Sequence, residues 1–133
     1  MIEQYLQQLF AELGLGASPV FEKEESLKVM IASFPIEIIK LDPGVHLSAT
    51  VAPLPTKDRE DFLLKVTEAN FLGQGTGGGV LGLKEDESFL TLSLSLPYEM
   101  SYRSFKDTIE EFVNFLEYWK KETEAIDSSG ELT

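Results

Sequence analysis

The first thirteen residues carry apolar side chains at the spacing of an amphipathic helix. These side chains fall on one arc, and polar residues occupy most of the remaining surface; the apolar set is Ile2, Tyr5, Leu6, Leu9, Phe10 and Leu13. Glycine commonly follows the last turn of a helix, because it adopts a left-handed backbone without steric cost. Gly14 and Gly16 therefore predict the end of this first helix.

The next part of the chain alternates its side chains with the two-residue period of β-strands. The alternation falls into three runs, residues 27–32, 36–41 and 45–52. Pro35 precedes the second run, and the turn-forming sequence Asp-Pro-Gly at 42–44 follows it. Because the connections are this short, we predict an antiparallel meander.

A second helix is predicted after the prolines at 53 and 55, with Thr56 as its N-cap. At about 100° per residue, this helix is apolar on two opposite sides: Phe62, Val66 and Ala69 on one, Leu64 and Phe71 on the other, and Leu63 and Leu72 at the flanks. Only one side can pack on its own sheet, so the other requires a second cover. We predict that a partner subunit provides it; a helix enclosed in the core of a monomer is the alternative.

Two more strands and a last helix complete the pattern. Residues 80–84 and 89–96 are predicted strands joined by a polar turn, and from Leu90 onward every second residue of the later strand is an inward-facing leucine. Ser104 and Asp107 resemble a capping box. The helix that they begin has one apolar face, made of Phe105, Ile109, Phe112, Val113, Leu116 and Trp119.

A glycine-rich segment at residues 73–79 lies between the second helix and the fourth strand. Phosphate-binding loops need a helix after the glycines, because the N–H groups at a helix N-terminus face the anion. Here the glycines follow a helix C-terminus, whose unpaired carbonyl groups would repel phosphate. We therefore predict a turn that allows close packing, not a nucleotide site.

Composition and charge narrow the classes of function. The chain has 133 residues, which we assign to one domain at 1–126 and a polar flexible tail at 127–133. It has 23 acidic and 11 basic residues and a net charge of −12, which argues against direct binding of nucleic acid. No apolar run reaches the roughly 20 residues of a membrane span, and the N-terminus lacks signal-peptide features. We predict a cytoplasmic protein without membrane insertion.

The sequence contains few of the residue patterns that are typical of enzyme active sites. It contains no cysteine, which excludes disulfides, thiol nucleophiles and thiolate zinc sites. His46 is its only histidine, and no Gly-x-Ser-x-Gly elbow accompanies it. The acidic clusters at 22–25 and 58–61 do not follow the spacing of an EF-hand loop. We predict no enzymatic activity, no cofactor and no metal site.

The order of elements, together with the segment Glu-Ala-Asn-Phe-Leu-Gly-Gln-Gly-Thr-Gly-Gly-Gly-Val-Leu-Gly-Leu at 68–83, resembles the type III secretion chaperones of the Tir-chaperone (CesT-like) family. Members of that family are similarly small, acidic and poor in cysteine. Their last helix often carries a Phe-Val pair and a late tryptophan, as do Phe112, Val113 and Trp119 here. The resemblance covers nearly all of residues 1–125 and departs most at 19–56, where Ser33-Phe34-Pro35 replaces the usual acidic-glycine turn.

The resemblance implies an α+β fold in a single domain, with the order α-β-β-β-α-β-β-α and a twisted, mainly antiparallel sheet packed against helices. It also implies a dimeric chaperone without enzymatic activity, in the cytoplasm of a bacterium that has an injection-type secretion system. The dimer is a homodimer or a heterodimer with a related chaperone. Its predicted interface consists of Leu63, Leu64, Phe71, Leu72 and Leu83.

In that family an extended N-terminal segment of the secreted protein binds through apolar grooves and strand addition, and it stays unfolded for export. We place this client-binding function on the first two strands, where Val29 and Ile31 share one face and Met30 and Phe34 the other. The full predicted set is Val29, Met30, Ile31, Phe34, Ile36 and Ile38. The alternative is an acidic regulator that binds the transcription machinery or mimics DNA, which only the net charge favours.

Overall fold

The computed structural model describes residues 2–15, 26–41, 44–73, 75–84, 88–96 and 100–131. In these ranges the order of elements is α-β-β-β-α-β-β-α, which confirms the predicted fold class. The helices are α1 (Ile2–Leu13), α2 (Arg59–Asn70) and α3 (Tyr102–Glu131). The strands are β1 (Ser26–Ile31), β2 (Phe34–Lys40), β3 (Val45–Pro53), β4 (Val80–Lys84) and β5 (Phe89–Leu96).

The strands form one antiparallel sheet in the order β1-β2-β3-β5-β4, so that β1 and β4 are its edges. The helices pack on one face of this sheet, which we call the inner face. The leucines of β5 at 90, 92 and 96 are buried there, as predicted, and Leu94 is half-buried. The other face, here the outer face, is polar, and His46 Nδ1 lies on it 3.0 Å from the hydroxyl oxygen of Ser95 on β5.

The hairpin between β1 and β2 is tighter than the sequence indicates. Its turn consists of Ala32 and Ser33 alone, with φ angles of 52° and 71°, and Ile31 pairs directly with Phe34. The second strand therefore begins at Phe34, two residues before the predicted start. Pro35 is tolerated inside it because the ladder between β2 and β3 begins only at Ile36, so no bond of that ladder requires an amide from Pro35.

A bulge interrupts the pairing of β3 with β5. Thr50 pairs with Thr91 and Ala52 with Leu90, which leaves Val51 as an extra residue on β3. Val51 and Ala52 are consequently both buried, although they are neighbours on one strand. Upstream of the bulge, Leu47 and Ala49 lie on the inner face.

Both predicted helix starts need correction. The N-cap of α2 is Asp58, in a left-handed conformation and without a side-chain cap bond, and not Thr56. The N-cap of α3 is Ser101, whose hydroxyl accepts a hydrogen bond of 3.1 Å from the amide of Ser104. The serine at 104 therefore lies inside the first turn and does not cap it.

The first helix ends at the predicted glycine, and the last helix extends further than predicted. Gly14, with a φ of +66°, ends α1 as predicted, and the amide of Leu15 bonds to the carbonyl of Phe10 at 3.0 Å. Gly16 lies outside the described residues. The last helix continues to Glu131, so the polar segment that we set apart from residue 127 belongs to α3 up to that point.

The helices join the sheet through a large apolar core. Phe62 of α2 and Trp119 of α3 are 1% exposed, and their ring centroids lie 6.1 Å apart in an edge-to-face arrangement. An ion pair between Lys65 and Glu122 links the same two helices at the surface. These contacts fix α2 beside α3, and they leave one side of α2 facing away from the core.

The glycine-rich segment is a packed turn, which agrees with its interpretation from sequence. The indole N–H of Trp119 donates a hydrogen bond of 2.9 Å to the carbonyl of Gly75. The hydroxyl of Thr76, which is 3% exposed, bonds to the carbonyl of Gly79 at 2.7 Å. A side chain at Gly75 would lie 2.7 Å from the Cβ atom of Ala69. The loop thus holds α2, β4 and α3 in fixed positions.

Candidate protein-interaction surfaces

An apolar groove with a volume of about 320 Å³ lies between α1, α3 and the turn of the first hairpin. We call it the α1–α3 groove; its lining consists of Leu9, Leu13, Leu15, Ile31, Ala32, Ile109, Glu110, Val113 and Asn114. Leu9 and Ile109 are buried, whereas Leu13 and Leu15 are 43% and 39% exposed. The groove can accept an apolar side chain from another molecule, because covering exposed leucine surface is favourable.

The groove has an acidic side. Glu110 and Asn114 are exposed residues of α3 and supply the polar part of the lining. The negative charge of Glu110 favours a ligand that carries a basic group beside its apolar anchor. The sequence analysis missed this site, because its walls come from three distant segments; the apolar arcs of the first and last helices were the available signal.

One wall of the groove is held in place by contacts between the ends of α1 and α3. Lys106 and the hydroxyl of Tyr102 donate hydrogen bonds of 2.8 Å and 3.0 Å to the same carboxylate oxygen of Glu12. The hydroxyl of Tyr5 donates to the carbonyl of Met100 at 2.7 Å. The bond from Lys106, followed by that from Tyr102, lowers the pKa of Glu12, and the bond to Glu12 raises the pKa of Lys106.

The lowered pKa of Glu12 leads to a pH-dependent prediction. The ionised carboxylate of Glu12 contributes its full stabilisation above the ordinary glutamate pKa of about 4.3. This stabilisation is lost as the pH falls through the lower pKa that Glu12 has in the folded protein. We expect Glu12→Gln to melt at a lower temperature than the parent near neutral pH. The two proteins should melt at the same temperature at a pH where the Glu12 carboxyl of the parent is protonated in both the folded and the unfolded state. Thermal melts across this range measure the difference, with Glu117→Gln on the exposed side of α3 as control. A gap in melting temperature that persists at low pH would contradict the ionic origin.

The predicted client-binding residues separate into two groups. Met30 is 59% exposed. The other five are buried on the inner face beneath the helices, with exposures between 0% and 7%: Val29, Ile31, Phe34, Ile36 and Ile38. Phe34 does not share a face with Met30, because the two-residue turn places it opposite Ile31 on the inner face. Of the buried five, Ile31 lines the α1–α3 groove.

The outer edge of β1 carries main-chain groups suited to pairing with another strand. Residues that flank a two-residue hairpin turn exchange both main-chain hydrogen bonds, so the main chain of Ile31 points toward β2. The main-chain groups of Lys28 and Met30 alternate with these and point away from β2. No other strand of the described residues lies beyond β1. This edge ends at Ile31, which is also part of the α1–α3 groove.

The second surface is the side of α2 that faces away from the core. Leu64 of α2 and Phe71, which directly follows α2, are 63% and 73% exposed, on the side opposite the buried Phe62 and Val66, as the helical spacing predicts. Leu83 of β4 is 39% exposed. Leu63 is half-buried, and the side chain of Leu72 lies outside the described part of the structure. Exposed apolar side chains of this size mark an interaction surface when they lie together.

The described residues were also compared with the requirements of a metal site and of a membrane span. Among the residues that the structure describes, no three histidine or acidic side chains gather as they would around a metal ion, and the acidic residues at 22–25 lie outside that part. Within the same ranges, no helix is both long enough and apolar enough to cross a bilayer. The α1–α3 groove and the exposed apolar side of α2 are therefore the features most suited to binding.

Comparisons with known proteins agree with the fold. The sequence profile of the Tir chaperone protein (CesT) family matches residues 4–120. This chain belongs to that family. The membership confirms the resemblance that the helix order and the glycine-rich segment indicate. A search of curated proteins finds no significant match.

Solved structures with the same fold are distant in sequence. A chain of the ExsC–ExsE complex is 13% identical and superimposes with a TM-score of 0.76 over 92% of each chain. A chain of the HopA1–SchA chaperone–effector complex is 16% identical, with a TM-score of 0.69 over 90% of this chain and 93% of the other. The Yersinia pestis type III secretion chaperone SycH, in complex with a fragment of YscM2, is 14% identical, with a TM-score of 0.67 over 87% of this chain and 97% of the other.

Proposed function

We propose that this chain is a bacterial cytoplasmic chaperone of type III secretion. It binds the N-terminal segment of a secreted protein and keeps that segment unfolded, soluble and competent for export. Family membership supports the assignment, and structures with this fold include a chaperone–effector complex. The observation that carries it is the position of the α1–α3 groove at the end of the outer edge of β1.

This juxtaposition fits an extended segment. Main-chain hydrogen bonds to Lys28 and Met30 would hold the segment as an added strand, and every second side chain would turn toward the inner side of the sheet. One such side chain would enter the groove between Leu13 and Ile109. Glu110 at the rim would favour a basic residue next to that anchor. Binding of this kind does not require the client to fold.

We also propose that the chain acts as a dimer and has no enzymatic activity. The exposed side of α2, with Leu64 and Phe71, is the proposed dimer interface, together with Leu63, Leu72 and Leu83. It is distinct in position from the α1–α3 groove, so one subunit can contact a partner subunit and a client at the same time. Whether the partner is a second copy or a related chaperone is decided by the mass of the purified complex.

The alternative of an acidic regulator that mimics DNA has less support. Such a mimic needs an unbroken stripe of negative charge, whereas Lys65 and Lys106 form ion pairs with acidic residues on the helices of the described part. Partner binding that is lost at high salt would favour the regulator, because screening weakens interactions between exposed charges. Binding that tolerates salt would favour the apolar groove.

Affinity capture of the tagged chain from its native bacterium tests the proposal. We expect recovery of a secreted protein, with hydrogen exchange locating the bound region in an N-terminal stretch of roughly 50–100 residues. That stretch should remain exchangeable outside its contact points. Recovery of RNA polymerase subunits or DNA-binding proteins, released at high salt, would contradict the chaperone function and favour the regulator.

A substitution at Leu13 tests whether the client binds in the α1–α3 groove. We expect Leu13→Glu to weaken binding of the captured N-terminal segment at least about tenfold, because it replaces apolar contact by a charge that must lose water. Titration calorimetry with the purified segment measures the change. Leu41→Glu is the control, since Leu41 is equally exposed at 45% and lies outside the groove. Equal affinity of the two variants would exclude the groove as the client site.

A further inference from the structure

The outer edge of β4 is occupied by a side chain. Asn70, the last residue of α2, accepts a hydrogen bond of 2.8 Å from the amide of Leu81 through Oδ1. Its Nδ2 donates one of 2.9 Å to the carbonyl of the same residue. Since β4 pairs with β5 on its other side, these two groups of Leu81 are those that an additional strand would use.

A carboxamide is suited to this position because it carries one acceptor and one donor side by side. A residue of an antiparallel strand offers the same two groups, its C=O and its N–H, to the residue opposite. Asn70 therefore makes with Leu81 the pair of bonds that a neighbouring strand would make. Its backbone is fixed at the end of α2, where Ala69 packs against the glycine-rich loop, so the amide is held in place.

One such side chain is enough to close a strand of this length. Along β4 only alternate residues direct their main-chain groups outward, and between Val80 and Lys84 these are Leu81 and Leu83. With Leu81 occupied, a single residue is left to pair. An unprotected edge strand readily pairs with another chain, and proteins protect such edges with bulky or polar features.

We infer that Asn70 acts as a strand substitute that closes the β4 edge to main-chain pairing. Extended segments and second copies of the chain are thereby excluded from this edge, and any contact beside it is made by side chains. Without Asn70, β4 of one chain would pair with β4 of a second copy and lead to association beyond the dimer. The inference does not depend on the client or on the secretion function.

Amide hydrogen exchange tests the role of Asn70 directly. In Asn70→Ala we expect the amide of Leu81 to exchange at least about tenfold faster, since it loses its acceptor, while the amide of Gly82, which faces β5, keeps its protection. Gln7→Ala removes an exposed carboxamide of α1 and is the control that should leave both amides unchanged. Equal acceleration of both amides would mean that Asn70 only stabilises the fold, and would overturn the inference.

Association provides the second readout. We expect the mass of Asn70→Ala in light scattering to rise with concentration above that of the parent, and to do so also when Phe71→Glu is added to remove the exposed face of α2. Asn70→Asp keeps the acceptor for the Leu81 amide but loses the donor, so it should protect that amide and still associate more than the parent. This variant also serves if Asn70→Ala does not fold. A mass equal to that of the parent in both variants would contradict edge closure.

Discussion

Replacement of Gly79 by alanine is expected to lower the free energy of unfolding by about 3 kcal/mol, a value typical of severe overpacking. An added Cβ atom would lie 2.5 Å from the carbonyl oxygen of Ser93 and 3.3 Å from that of Thr76. Both neighbours are main-chain atoms, so neither can move by a side-chain rotation. Relief requires β4 to move away from β5 where Val80 pairs with Ser93.

Gly82→Ala is the matched control, because it changes the same residue type three positions further along, inside β4. Its added Cβ atom would lie 3.4 Å from the hydroxyl of Thr91, which can rotate. We expect its free energy of unfolding to stay within about 1 kcal/mol of the parent. Urea denaturation followed by tryptophan fluorescence measures both variants, since Trp119 is buried beside the loop. Equal midpoints for the two variants would show that β4 tolerates displacement at Gly79.

The size of this effect follows from what the glycine-rich loop does in the fold. At Gly77, with a φ of +65°, a side chain would approach the ring of Phe115 to 2.7 Å. Trp119 and Thr76 bond to carbonyl groups of the same loop. The glycines are therefore needed because α3 and β5 approach the main chain closely, not because a ligand does.

Much of the fold was predictable because local patterns coincide with it. The alternation of leucines in β5 matches burial on the inner face, and the bounds of β4 and β5 are those predicted. The two-sided apolar pattern of α2 likewise matches the burial of Phe62 and the exposure of Leu64. In each case one periodicity, read within a single element, is sufficient.

The first hairpin was less predictable because its turn lacks the usual signal. Turns with two left-handed residues favour glycine and asparagine, whereas Ala32 and Ser33 adopt positive φ angles here. Without that signal, Phe34 was assigned to the same face as Met30. The consecutive apolar residues of β2 do not correct the error, since Ile38 and Ile39 differ in burial but not in type.

The candidate sites were predictable only in part, for a related reason. The α1–α3 groove joins residues about 100 positions apart, such as Leu13 and Val113, and no periodicity within one element brings them together. The role of Asn70 was also hidden, because its partner Leu81 lies beyond a loop. The exposed side of α2 needed only the spacing within one helix. Its use as an interface still requires a second chain.

Phe71→Glu is expected to convert the proposed dimer into a monomer at concentrations where the parent is dimeric. The side chain of Phe71 is 73% exposed in the single chain, so the change should cost little before association. At an interface, the glutamate would become a buried, unpaired charge with a penalty of about 3 kcal/mol. This corresponds to a dissociation constant roughly a hundredfold higher. Sedimentation equilibrium measures that constant directly.

Leu64, like Phe71, is exposed on the side that faces away from the core, so Leu64→Glu should also raise the dissociation constant of the dimer. Leu41→Glu is the matched control, because Leu41 is also exposed and lies outside α2, and it should leave the dissociation constant unchanged. The melting temperature of a monomeric variant separates a lost interface from a damaged fold, since Trp119 and the core around it are untouched. A dimer of parental strength in both α2 variants would assign the interface to another surface, and would require a different cover for the exposed side of this helix.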